Sequence, residues 1–268
     1  MASTSTKFII SDDITFKFAK GASVESGKEF HAFHEIIYFM GGKAKFISEN
    51  IQTTLKPNTL IILPRETYHQ LTISGSQDDY QRCVFHFLDI PEFMELINLG
   101  MKNTMLIEMN QRLHFIFHSM IALFNSQYSD SLKSVIMKST LGVLLNELSS
   151  NNYSNIETIV PDTLSEKCIN YITQHITEPI LAEDIAKEFN ISVSHLSHTF
   201  KNQMKISLHQ FILKKKLVMA YHKILDGTSA TKAAVECGFN DYSGFYKQFK
   251  KMFNKVPSDR NIGIDIGE

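Results

Sequence analysis

The feature that most constrains this chain is a pattern repeated 48 residues apart in its last third. In LAEDIAKEFNISVSHLSHTFK (181–201), Ala186 is small where one helix must let another approach closely. Asn190, four residues on, stands where the turn demands a left-handed backbone, which Gly and Asn tolerate best. Ile185, Phe189, Ile191, Leu196 and Phe200 supply the apolar contacts of such a pair. In ATKAAVECGFNDYSGFYKQFKK (230–251), Ala234 and Gly238 keep the same spacing, Phe245 and Phe249 replace Leu196 and Phe200, and the turn is one residue longer. Two helix-turn-helix units in tandem are predicted, with Ser192 and Asp241 as helix N-caps. The stretch SLHQFILKKKLVMAYHKIL between them has 19 residues, which as a helix span roughly 28 Å. Recognition helices entering successive major grooves on one face of B-DNA sit about 34 Å apart, so a rigid connector of this length suits both units.

Charge is distributed accordingly. The chain has 268 residues and a net charge of −1, but residues 192–260 carry 12 Lys and Arg against 4 Asp and Glu. A basic segment on a nearly neutral chain points to a polyanion, and here to double-stranded DNA. With the apolar positions buried, the second helix of each unit presents Ser194, His195, His198 and Lys201, and Ser243, Lys247, Lys250 and Lys251. Ser194, His195, His198, Ser243 and Lys247 are the candidates for base edges. Lys201, Lys250, Lys251 and the connector lysines Lys214, Lys215 and Lys216 are expected to meet phosphates, since lysine acts as a point charge.

The first half follows a different period. Short runs rich in Phe, Ile, Thr and Tyr (FIISDDITFKF, HAFHEIIYFMGGKAKFI, LKPNTLIILPR, YHQLTI, RCVFHFL) read as strands of a sandwich or barrel. Gly41-Gly42 reads as a hairpin turn. After Pro91, residues 108–126 and 131–149 turn helical. Leu132, Val135, Ile136, Val143, Leu144 and Leu148, widened by Leu141 and Leu145, make a stripe broader than one core face needs. That breadth, with LHFIFHSMIALF (113–124), predicts a homodimer. The polar stretch SSNNYSN divides the chain into 1–155 and 156–268. Helices are expected near 163–176, 181–188, 192–203, 207–225, 229–237 and 241–253.

The last 100 residues resemble the AraC/XylS family of bacterial transcription regulators. The resemblance rests on ISVSHLSHTFK (191–201), KLVMAYHKIL (216–225) and ECGFNDYSGFYKQFKKMFNKVP (236–257). Three departures stand out. Lys216 replaces the usual arginine, Met204-Lys205 lacks the usual glycine, and PSDR lacks the aromatic residue that normally precedes its arginine. HAFHEIIYFMGGKAKF (31–46) and LIILPRETYH (60–69) are similar to the cupin-type sensor barrel that often precedes this domain. The resemblance implies an α+β chain of two domains, a cupin-like barrel with a helical dimerisation pair followed by an all-α double helix-turn-helix. It implies a small-molecule effector, such as a sugar or other nutrient, and RNA polymerase as a further partner.

Polar groups scattered in the barrel name the effector contacts: His34, Tyr38, His69 and His86. His31, His34, His69 and His86 resemble the metal-binding histidines of cupin enzymes. A His-x-His pair is needed to bring two rings to one side of a strand, and His31 and His34 differ by three. No metal and no cofactor is therefore expected. His114 and His118 lack the glutamate of HExxH, and no phosphate loop or GxSxG occurs, so the competing reading, a cupin-type enzyme acting on a small sugar or acid, has no catalytic constellation to support it. Cys83, Cys168 and Cys237 are widely spaced, and no secretory signal or spanning segment is seen, which fits the cytoplasm.

Overall fold

A computed structural model describes residues 4–21, 28–49, 51–73, 79–150, 153 and 163–259. The strands are β1 (Thr4–Ser11), β2 (Ile14–Lys20), β3 (Lys28–Glu29), β4 (His34–Gly41), β5 (Ala44–Ser48), β6 (Gln52–Leu55), β7 (Thr59–Leu63), β8 (His69–Ile73) and β9 (Gln81–Phe87). Helix α1 (Met94–Gly100), strand β10 (Met105–Glu108) and helices α2 (Gln111–Phe124) and α3 (Asp130–Ser150) follow. Two antiparallel sheets form, ordered β1-β2-β9-β4-β7-β10 and β3-β8-β5-β6.

Alternation along β4 assigns its side chains to opposite faces. Ile37 and Phe39 turn inward and join Phe46, Ile61, Leu63, Leu71 and Val84 between the sheets. Ile36 and Tyr38 turn outward and pack with Leu113, Phe117, Met120, Met137, Leu141 and Leu144 of α2 and α3. The six-stranded sheet is thus covered on both faces, which is why β7 is buried throughout and reads as an unbroken apolar run.

One expectation is corrected here. Gly41-Gly42 does not close a hairpin. β4 pairs with β7 and β9, whereas β5 pairs with β6 and β8. The glycines carry the chain from one sheet to the other. Gly42 has φ 93, and a Cβ on Gly41 would lie 2.9 Å from the Asp79 carbonyl oxygen, so the crossing needs both. β6, β10 and α1 carry no strong period of their own and were not anticipated.

The helical part comprises α4 (Leu164–Gln174), α5 (Ala182–Glu188), α6 (Val193–Met204), α7 (Leu208–Leu225), α8 (Ala230–Glu236) and α9 (Tyr242–Phe253). Its core gathers Ile169, Ile185, Leu196, Phe200, Phe211, Val218, Phe245 and Phe249. Phe30, Ala32 and Tyr68 of the barrel belong to the same buried cluster. The expected boundary at 155/156 lies outside the described residues. No described helix is long and apolar enough to cross a membrane.

Candidate functional site

The two helix-turn-helix units are built alike. Ala186 and Ala234 are buried at the crossings. Asn190 has φ 53 and Gly238 φ 71, the left-handed turn that the spacing demanded. The residue after each donates a backbone hydrogen bond in the same way: Ile191 N–H to Ala186 O at 2.9 Å, and Phe239 N–H to Ala234 O at 3.0 Å. These bonds satisfy carbonyls orphaned at the helix ends. Ser192 Oγ accepts from His195 N–H at 3.1 Å and Asp241 Oδ1 from Gly244 N–H at 2.6 Å, so both second helices start on the caps read from sequence. Leu196 and Phe200, and Phe245 and Phe249, are fully buried. That burial turns the opposite faces outward: Ser194, His195, His198 and Lys201 on α6, and Ser243, Lys247, Lys250 and Lys251 on α9, are all exposed.

The connector lysines differ. Lys214 is half-buried. Lys215 is buried, and its Nζ donates to Glu49 Oε1 and Oε2 of the barrel at 2.9 and 3.1 Å. Lys216 is buried too, and its Nζ donates to Glu178 O at 2.8 Å and, at 3.4 Å, to Gly238 O in the second turn. The expectation that these two meet phosphates is corrected: both ammonium groups are committed within the protein. The basic run sits on a central helix packed on several sides, so its charge signal misled.

The four residues named as effector contacts do not share one site. His69 and His86 lie inside the barrel, where both face Glu35: His69 Nε2 is 3.0 Å from Oε2 and His86 Nε2 2.9 Å from Oε1. His31 Nε2 joins them, 3.1 Å from Oε2. Burial pushes the Glu35 carboxyl up, but His69, His86 and His31 outweigh it and hold it well below the usual carboxylate range. Tyr38 points to the helices instead; its hydroxyl donates to Asn58 Oδ1 at 3.0 Å and lies 3.3 Å from His114 Nδ1.

His34 belongs to a network at the junction with α7. Its Nε2–H donates to Asp89 Oδ1 at 3.0 Å, and its Nδ1 accepts from Arg65 N–H at 3.2 Å. The Arg65 guanidinium pairs with Asp89 and donates to His222 Nδ1 of α7 at 3.1 Å. Nδ1 of His222 is therefore an acceptor, and its Nε2–H faces Glu66 Oε1 at 3.5 Å. Burial, with Arg65 adding to it, pushes His222 down to about 3. Burial lowers His34 as well, against the pull of Asp89. The sequence does not single out Glu49, Arg65, Glu66 or Tyr68: RETYH stands out there only as part of the stretch similar to the cupin-type barrel, with His69 alone as a contact.

Comparison with known proteins agrees with this layout. Residues 13–134 match the AraC-like ligand binding domain family, and residues 185–260 a helix-turn-helix domain family. A probable transcriptional regulator, LumQ of Photobacterium leiognathi, is 22% identical over 233 residues, covering 85% of this chain and 89% of that protein. The uncharacterized HTH-type transcriptional regulator YdiP of Escherichia coli (strain K12) is 24% identical over 260 residues, covering 91% and 84%. The HTH-type transcriptional activator RhaS of Salmonella schwarzengrund is 26% identical over 105 residues, 39% of this chain and 38% of its own. The crystal structure of ToxT from Vibrio cholerae O395 aligns over 98% of this chain and 99% of that one, with 17% identity and a TM-score of 0.42.

Proposed function

Because the chain belongs to the AraC family of transcription regulators, with a helix-turn-helix DNA-binding domain behind a ligand-binding domain, we propose how it divides the work. It is a regulator and not an enzyme. In our reading α6 and α9 enter major grooves of one operator. Ser194, His195, His198, Ser243 and Lys247 meet base edges, and Lys201, Lys214, Lys250 and Lys251 meet phosphates. The observation that carries this reading is the pair of identically capped second helices whose apolar sides are buried and whose polar sides are exposed. Helix α7, 18 residues and thus about 27 Å long, sets their spacing.

The effector, a sugar or other small nutrient, binds in the barrel, and His69 and His86 are the contacts we retain for it. His34 and Tyr38 are assigned instead to the junction and the helix layer. A second copy of the chain packs on α3. Leu132, Val135, Ile136 and Val143 are exposed there, while Leu141, Leu144 and Leu145 fill the core on the other side. RNA polymerase is the further partner of the promoter-bound dimer, and the cytoplasm, where Cys83, Cys168 and Cys237 stay as free thiols, is its location. A gel shift on the DNA upstream of the coding sequence tests the reading. Retardation that persists under excess competitor DNA supports it; equal affinity for operator and competitor contradicts it.

A further inference from the structure

The turn that joins the first recognition helix to the connector is held from outside its own domain. α6 ends at Met204 and α7 begins at Leu208, so three residues set the angle between them. The first of these, Lys205, has φ 58, a left-handed conformation that a residue with a Cβ adopts at a cost. The second unit ends differently. α9 closes on Asn254, φ 53, a residue type whose short polar side chain makes that conformation easier. The backbone preference of Lys205 therefore does not secure the exit of α6.

Tyr68 supplies the hold. It lies between β7 and β8 of the barrel and is fully buried. Its Oη–H donates to Met204 O at 2.7 Å. That carbonyl belongs to the last turn of α6, beyond the reach of the helix's own N–H groups. Burial pushes the ionisation of the phenol up, so the hydroxyl remains a donor at neutral pH. The ring meets Phe211, in the first turn of α7, edge-on at 5.8 Å, and Phe211 in turn stands 5.4 Å from Phe200 of α6. Tyr68 N–H donates to Glu49 Oε1 at 3.3 Å, and the same carboxylate accepts from Lys215 Nζ of α7 at 2.9 Å. One barrel residue thus grips the end of α6 by its hydroxyl and the start of α7 by its ring, and its backbone shares an anchor with the middle of α7.

A hold at the exit of a helix reaches its exposed face. His198 stands six residues before Met204, about 9 Å along the axis. A tilt of about 5° at the exit would move a group at that distance by roughly 0.8 Å, more than the ~0.5 Å window of an N–H···O bond. We propose that Tyr68 is a positioning residue for DNA reading: from the barrel it holds the α6–α7 turn, and so sets the angle at which the first recognition helix meets the operator. It acts through α6 and touches no DNA itself. This role rests on the assignment of α6 to DNA reading; the hold on the turn does not.

The test uses the full chain carrying Tyr68→Phe, which keeps the ring and deletes the hydroxyl. Hydrogen exchange over residues 201–207 should speed up severalfold, with exchange over 242–253 unchanged, because only the first turn loses its outside bond. Operator affinity should fall roughly threefold to tenfold, as expected when a buried acceptor is orphaned. Double-mutant cycles separate positioning from a general loss of stability. With His198→Ala on α6, the combined loss should be smaller than the product of the single losses; with Lys247→Ala on α9, it should equal the product. Losses that multiply in both cycles overturn the proposal, as does a lowered melting temperature with unchanged operator affinity, which would mark the hydroxyl as structural only. Should Tyr68→Phe fail to fold, Glu49→Gln loosens the same anchor and should show a smaller loss with the same pattern in the cycles; a different pattern overturns the proposal. If the wild-type chain binds no operator, the DNA-reading assignment falls and the positioning role with it. The exchange rates then judge the hold alone: acceleration confined to 201–207 supports it, and unchanged rates overturn it.

Discussion

Lys205 closes α6 with φ 58, a left-handed conformation that costs a residue with a Cβ about 1 kcal/mol. The sequence marks this position as lacking the family's glycine, and the backbone has kept the shape without it. Lys205→Gly should therefore stabilise the chain by about 1 kcal/mol, provided the added freedom of the unfolded chain does not cancel the gain; urea unfolding at pH 7 measures it. A loss of stability would show that the lysine side chain contributes more than the strain removes. Gly238 is the opposite case. It has φ 71, and a Cβ there would lie 2.8 Å from Lys216 Nζ. His222 gives a pH dependence. Its value of about 3 in the folded chain lies below the ordinary 6.5, so the unfolded chain takes up a proton first as pH falls. The stability tied to the neutral ring is complete above pH 6.5 and is lost as pH falls from there toward 3, by about 2 kcal/mol at pH 5. Removing the ring by His222→Gln removes that loss. The stability gap between wild type and variant should shift by this amount, in the variant's favour, between pH 7 and pH 5. A gap that does not change between the two pH values would mean that the ring does not titrate in this window.

At the scale of elements, α3 carries two faces. Met137, Leu141, Leu144, Leu145 and Leu148 are buried against the barrel side, while Val135 is 63% and Val143 56% exposed. An apolar face left in water is a candidate interface. Val135→Glu combined with Val143→Glu should convert a dimer to a monomer in multi-angle light scattering without lowering the melting temperature much. A wild-type chain that is monomeric at tens of micromolar would refute the dimer. Helices were the legible elements, because each reports itself locally through caps, turns and a 3.6-residue period; the six C-terminal ones lie within two residues of their expected ends. Strands were legible as runs but not as sheets. Nothing local in HEIIYFMGGKAKFI tells that the chain leaves one sheet at Gly41-Gly42 and enters the other, since that choice is made by β7, β8 and β9, which follow later. The Glu35 cluster was hidden for the same reason: Glu35 on β4 and His86 on β9 meet His69 on β8 only when the two sheets face each other.

At the scale of the molecule, the barrel and the reader share a buried seam. Tyr68 plugs into the helical core, Lys215 of α7 pairs with Glu49, and Arg65 joins Asp89 to His222. This seam explains why Lys215 misled as a guide to DNA contacts, while Lys216 is held inside the helical part by Glu178 O and Gly238 O: charge count cannot distinguish a lysine facing phosphate from one bonded within the protein. The exposed residues of α6 and α9 carry the central claim, that both helices read DNA. The most direct test is operator and random-DNA affinity, measured by fluorescence anisotropy across a salt series for the wild type, Lys250→Ala and His198→Ala. Lys250→Ala should weaken binding to every sequence and reduce the salt slope by about one unit, as loss of one phosphate contact requires. His198→Ala should cost about 1–3 kcal/mol on the operator, with little effect on random DNA and an unchanged salt slope. Unchanged operator affinity and base preference in His198→Ala, with the full loss in Lys250→Ala, would contradict the claim and leave α9 as the only reading helix.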